Sequence, residues 1–135
     1  MLCMKKYQLL VTCAIIENDK GEFLITQRPL DKHNGGRWEF NGGTIEHGED
    51  PRVCLKRELY EELGIIIDVL EPFEYSSHIY DEVKHVVLLG FYFKYISGEI
   101  QKKDIADFAW VKPEKMKSYD ITEADHPMVN KLLKK

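Results

Sequence analysis

Residues Gly42 to Ile65 read GGTIEHGEDPRVCLKRELYEELGI, and four of the glutamates, Glu49, Glu58, Glu61 and Glu62, bear on one place. Glu58, Glu61 and Glu62 stand at i, i+3 and i+4, which on a helix is a single face. Glu49 precedes that helix and reaches the same place from the loop. Like charges on one face repel, so a helix gains nothing from them unaided. A divalent cation turns that repulsion into binding, because hard cations such as Mg²⁺ take carboxylate oxygens. The helix itself is well bounded. Asp50 is a good N-cap, Pro51 suits the first helical position, and Gly64 stands where a left-handed residue is wanted after the last turn. Val53, Leu55, Leu59 and Leu63 form an apolar stripe, with Cys54 and Tyr60 near its edges. Gly42 and Gly43 suit a loop whose backbone approaches a ligand closely.

The chain has 135 residues, enough for one domain over 1–135 with a real core and too few for two. A net charge of −4, with no long basic run, argues against a nucleic-acid polymer as partner. Lys131, Lys134 and Lys135 read as favourable cations at a helix end. Three cysteines, Cys3, Cys13 and Cys54, lack metal-type spacing and fit a reducing cytoplasm as small apolar residues. The opening MLCMKKYQLL holds no signal-peptide pattern and no membrane span, and Met4 is an equally good start. The five histidines, His33, His47, His78, His85 and His126, show no zinc spacing.

Around the helix the pattern is mainly strands. Gln8 to Ile16 is an apolar strand, Asn18 to Gly21 a turn, and Glu22 to Thr26 a second strand. Arg37 to Phe40 is a short strand after the Asn34-Gly35-Gly36 loop. Ile65 to Tyr80 holds one or two strands, and His85 to Tyr95 is apolar enough to be central. Ser97-Gly98 is a turn, Asp107 to Val111 a strand, Pro113 to Lys117 a helical turn, and Pro127 to Lys134 a final helix. Strands without strict helix alternation predict an α+β layered domain.

Counted from Gly43, five residues lead to Glu49 and seven more to Arg57-Glu58-Leu59. One residue later come Glu61-Glu62 and then Leu63-Gly64-Ile65. This spacing resembles the box of the Nudix hydrolases, with Gly43, Glu49, Arg57, Glu58, Glu61, Glu62 and Gly64 at its defining positions. The resemblance implies the Nudix fold, a curved mixed β-sheet sandwiched between helices. It also implies Mg²⁺-dependent hydrolysis of a diphosphate linkage, with Mn²⁺ a possible substitute. Carried over, Glu61 and Glu62 are direct metal ligands with Glu58 beside them, and the Gly42 carbonyl is a further ligand. Arg57 braces a carboxylate or makes an ordinary i,i+4 pair with Glu61. The general base is Glu58 or Glu61, and Glu61→Gln is expected to lose several orders of magnitude in rate. Asp104 is a third candidate or solvated surface.

Outside the box the chain resembles the MutT-like and CTP pyrophosphohydrolase branch, through Ile25-Thr26-Gln27-Arg28-Pro29, Trp38-Glu39-Phe40, Ser77-His78, Lys84-His85 and Ala124-Asp125-His126-Pro127. That resemblance implies a cytoplasmic nucleoside triphosphate pyrophosphohydrolase with no membrane, monomeric or homodimeric, acting on an oxidised or cytidine-type (d)NTP. Arg28 and Lys84 approach the nucleotide, Phe40, Trp38 and Tyr80 are available for stacking, and Asp125 accepts from the base or caps the last helix. Asn41 stands where the family usually has proline, and Thr44 where lysine is common. The alternatives are a dinucleoside polyphosphate or ADP-ribose hydrolase, or a catalytically silent binding module. An isomerase of this fold would need a cysteine context that is not recognisable here.

Overall fold

A computed structural model describes residues 5–67, 71–95 and 98–134; Cys3, Met4, Ser97 and Lys135, named above, lie outside the described residues, as does part of the Ile65 to Tyr80 stretch. The long apolar run near the start becomes β1 (Tyr7–Glu17). It pairs in parallel along its whole length with β6 (Lys84–Lys94), from Tyr7 opposite Lys84 to Glu17 opposite Lys94. Both strands are interior, as their continuous hydrophobicity demands. The edge strand β5 (Glu71–Tyr80) lies antiparallel to β6. On the other flank β2 (Phe23–Gln27) touches β1 at Glu17 and Phe23, then pairs antiparallel with β3 (Trp38–Glu39) and β7 (Asp107–Val111). A strand that sequence reading treated as loop, β4 (Gly42–Thr44), pairs antiparallel with β1. Glycines carry no β signal, so only the neighbouring strand makes this segment extended.

Period-2 alternation sends Cys13 and Ile15 to one face of the sheet and Ala14 and Ile16 to the other. The first face packs against Met128, Val129 and Leu132 of α2 (His126–Leu133) and Met116 of the 3₁₀ turn Pro113–Ser118. The second packs against Leu55, Leu59 and Leu63 of α1 (Pro51–Leu63). Helix, mixed sheet and helix therefore form the three expected layers. Leu59 is fully buried in the second cluster. Leu59→Ala should lower the unfolding free energy by about 2–5 kcal/mol, read from a urea transition at unchanged slope.

The caps of α1 are those the residues dictate. Asp50 accepts from the Arg52 N–H at 2.8 Å, and Gly64 takes φ of 71° while its N–H donates to Tyr60 O. The apolar stripe needs one correction. Val53 is 59% exposed and Cys54 is buried in its place. Helix geometry does not choose between them; Cys54 is the one covered, its Sγ reaching Thr12 Oγ1 of β1 and Thr44 O of β4. Burial pushes the Cys54 thiol up to about 11, which suits an inert packing residue. Among the described residues no helix is long and apolar enough to cross a membrane.

Candidate active site

The acidic face of α1 splits into two rows. Glu58 and Glu62, four apart, line a cleft against Gly42, Gly43 and Thr44. Arg57 and Glu61 form the neighbouring row, turned toward the loop before the helix. Arg57 makes its main contacts there. Its Nε and Nη2 donate to the two Glu49 oxygens at 2.9 and 3.0 Å, and Nη1 donates to Glu58 Oε1 at 3.0 Å. The i,i+4 contact with Glu61 is longer, at 3.5 Å. Arg57 thus braces carboxylates, as the bracing alternative requires, but those of Glu49 and Glu58. The paired hydrogen bonds from Arg57 hold the Glu49 carboxyl down at about 2. Glu61 is 55% exposed on the rim and does not line the cleft. One helical position, about 100°, separates it from the sheltered row.

The floor of the cleft is backbone. The Ala14 N–H donates to Asn41 O and the Ile45 N–H to Leu10 O. With β1 and β4 in this register, Gly42 falls in a pair without ladder hydrogen bonds. Its carbonyl therefore points away from β1, as a ligand would need, whereas Gly43 O accepts from Thr12 Oγ1. Glu58 lies directly over Gly43, where an added Cβ would stand 2.2 Å from Glu58 Cδ. Asp104 reaches the same cleft because the loop docks on the end of α1, with the Lys103 and Asp104 N–H groups donating to Glu62 O. Its carboxylate also pairs with Lys32 at 3.7 Å.

Among the described residues no three carboxylate, imidazole or thiol groups converge tightly enough to hold an ion unaided. A Mg²⁺-like ion keeps several waters and needs only one or two carboxylates. Glu58, Glu62 and the Gly42 carbonyl meet that requirement, and Glu62 Oε2 is buried without a hydrogen-bond partner among the described residues. Burial first, then the charges of Glu58, Glu39 and Asp104, push the Glu62 carboxyl up to about 8. The unfolded chain would release that proton near 4.5. Between those values the folded state binds more protons than the unfolded, so stability falls as pH rises. Melting in EDTA should show this fall from about pH 5 to about pH 8, and Glu62→Gln should remove most of it.

A second cleft shares Arg28, Glu39, Gly42, Gly43 and Thr44 with the first and continues inward to Tyr80, Lys84 and Asp125. Arg28 is held from two sides. Its Nη1 donates to both Glu39 oxygens at 3.2 Å and its Nε to His33 O at 2.8 Å. Asp125 occupies the N-cap position of α2 yet makes no capping hydrogen bond. Its Oδ2 accepts from the Phe40 N–H at 2.8 Å instead. Burial first and Glu39 next push the Asp125 carboxyl well above the usual range. Phe40 lines the inner cleft yet is 2% exposed and packs in the core cluster beneath it. Tyr80 lies half-buried on the wall, its hydroxyl accepting from the Ala124 N–H and its ring edge-on to His78 at 4.5 Å. Lys84 faces the same space, its ammonium made more acidic by burial and by Arg28. His85 points to the other side of the sheet, where its Nε2 meets Ser77 Oγ at 2.6 Å.

Two contributors went unassigned in the sequence. Glu39 joins the clefts as the partner of Arg28, and a lone acid within Trp38-Glu39-Phe40 was the available signal, since a sheltered charge needs a partner. Arg37 clamps the segment ahead of α2, donating to Asp120, to both Glu123 oxygens and to Ile121 O. That clamp, with the Trp38 and Thr122 N–H groups bonded across, sets the 3₁₀ turn Glu123–Asp125 beside β3.

Comparison with known proteins agrees with this layout. Residues 6–132 match the NUDIX domain. The chain is 36% identical over 120 residues to a CTP pyrophosphohydrolase of Escherichia coli K12, covering 88% of this chain and 87% of that one. It is 33% identical over 129 residues to an 8-oxo-dGTP diphosphatase of the same organism, covering 96% and 98%. A crystal structure of the MutT protein from Methanosarcina mazei Go1 superposes with a TM-score of 0.86 at 21% identity, covering 98% and 97%.

Proposed function

The chain belongs to the NUDIX domain family, and from that premise we propose that it uses Mg²⁺ to convert a cytidine-type or oxidised (d)NTP into the monophosphate and pyrophosphate. It is a nucleoside triphosphate pyrophosphohydrolase, cleaving phosphoanhydride bonds. The observation that carries the finer reading is the junction of two clefts at Gly42–Thr44, one acidic and one ending on the buried carboxyl of Asp125. On this reading residues 1–135 form one catalytic domain.

Glu62 and the Gly42 carbonyl would hold the cation, with Glu61 adding charge from the rim. When bound, Mg²⁺ or Mn²⁺ would neutralise charge on the phosphoryl oxygens, the main requirement of phosphoryl transfer. Glu58 takes the proton of the attacking water. Burial raises its carboxyl, bringing it nearer the working pH of a base, while Arg57 limits the rise and fixes its direction. Asp104 adds an acid on the opposite wall. Arg28 and Lys84 supply positive charge near the phosphates. At the inner end, Asp125 offers one donor and one acceptor side by side, which matches N3 and the exocyclic amine of cytosine or O6 and N1–H of a guanine.

A substrate screen tests this directly. CTP, dCTP, 8-oxo-dGTP, the common dNTPs, ADP-ribose and diadenosine polyphosphates would be compared with Mg²⁺, reading pyrophosphate against phosphate. Preference for CTP, dCTP or 8-oxo-dGTP with pyrophosphate release is expected. Preference for a dinucleotide would overturn the substrate assignment, and no turnover of any would leave a binding module.

A further inference from the structure

Asn41 is the residue at which this chain departs from the proline usual before the glycine pair. It lies 3% exposed between β3 and β4, anchored at both ends. Its backbone carbonyl accepts from Ala14 N–H at 2.8 Å, and its Nδ2 donates to Thr26 Oγ1 at 3.2 Å. Asn41 lines the acidic cleft together with Glu58, Glu62 and Asp104. Asn41 Oδ1 and Glu62 Oε2 are the buried side-chain oxygens without a hydrogen-bond partner among the described residues.

A buried acceptor left unpaired is destabilising unless something else satisfies it. Two such oxygens on residues lining one cleft, one of them acidic, call for a cation or the donors of its water shell, which an apolar filling would not provide. A proline at this position would offer no side-chain oxygen. We infer that the Asn41 carboxamide belongs to the cation site of this chain, with Oδ1 as an added oxygen donor toward the hydrated ion and Nδ2 as its anchor on Thr26. This rests on the metal-dependent reading above.

The test is Mn²⁺ binding to the nucleotide-free full chain, by calorimetry and by paramagnetic resonance of free Mn²⁺. Wild type is the control: if it binds no Mn²⁺, the metal reading itself fails. Given wild-type binding, Asn41→Ala should weaken Mn²⁺ by about 10–100-fold, the range for supporting groups around a metal. Its melting temperature in EDTA should fall only modestly, since the lost Nδ2 bond to Thr26 is offset by removal of an unpaired buried acceptor. Asn41→Asp keeps both shape and acceptor and should bind Mn²⁺ at least as tightly as wild type. If Asn41→Ala does not fold, Asn41→Asp decides. Weaker Mn²⁺ binding in Asn41→Asp, or binding within twofold of wild type in a folded Asn41→Ala, would overturn the assignment.

Discussion

Glu62→Gln should lower kcat by about 10³-fold or more while the protein stays folded and, without added cation, becomes more heat-stable. The loss follows from position. Glu62 is the acid whose outer oxygen is buried and unpaired in the cleft, so a neutral amide there removes charge where water cannot replace it. Losing electrostatic support for the phosphoryl oxygens is a matter of several kcal/mol, and each ~1.4 kcal/mol is tenfold in rate. The gain in stability has the same origin. Glu62 sits among Glu58, Glu39 and Asp104, and the fold tolerates that crowding by keeping its carboxyl protonated up to about pH 8. Glu58→Gln should also lose more than Glu61→Gln, because Glu61 is on the rim at 55% exposure. Steady-state kinetics with melting curves in EDTA would check both halves. A Glu62→Gln enzyme within tenfold of wild type would sink the assignment.

Adding one methyl group to each glycine of the pair should have opposite consequences. At Gly43 the new Cβ would stand 2.2 Å from Glu58 Cδ, and the side chain can swing away. Gly43→Ala should therefore fold with a small change in melting temperature and lose about 10²-fold in kcat, as Glu58 leaves its place. At Gly42 the new Cβ would stand 1.8 Å from Thr12 O, in the backbone of the central strand. Nothing there can rotate aside, so Gly42→Ala should destabilise by more than about 4 kcal/mol or fail to fold. Circular dichroism on both variants, with kinetics on Gly43→Ala, separates the outcomes. A well-folded Gly42→Ala protein would contradict the close approach of β4 to β1.

Legibility differed by residue for physical reasons. The span and caps of α1 could be read because Asp50, Pro51 and Gly64 act on their own helix ends through local hydrogen bonds and φ preferences. Most strands could be read from apolar runs. Val53 and Cys54 were exchanged because two neighbouring apolar residues do not reveal which one the sheet covers. Asp125 was singled out in the sequence, but the rise of its carboxyl comes from burial and from Glu39, 86 residues away, which no local pattern carries.

The sequence by itself determined the chemistry. Spacing along one helix puts Arg57, Glu58, Glu61 and Glu62 within reach of one another whatever surrounds them, since helical geometry is local. Only the tertiary structure decided how that chemistry is aimed. Pairing of β4 with β1 turned the Gly42 carbonyl outward and laid Gly43 beneath Glu58. Packing of α1 on the sheet sheltered Glu58 and Glu62 and left Glu61 at the rim. Docking of the Asp120–Asp125 segment through Arg37 brought Asp125 to the inner end, bonded to the Phe40 N–H. These outcomes depend on burial and on partners distant in the chain, and desolvation is a property of the folded surroundings, which sequence spacing does not encode.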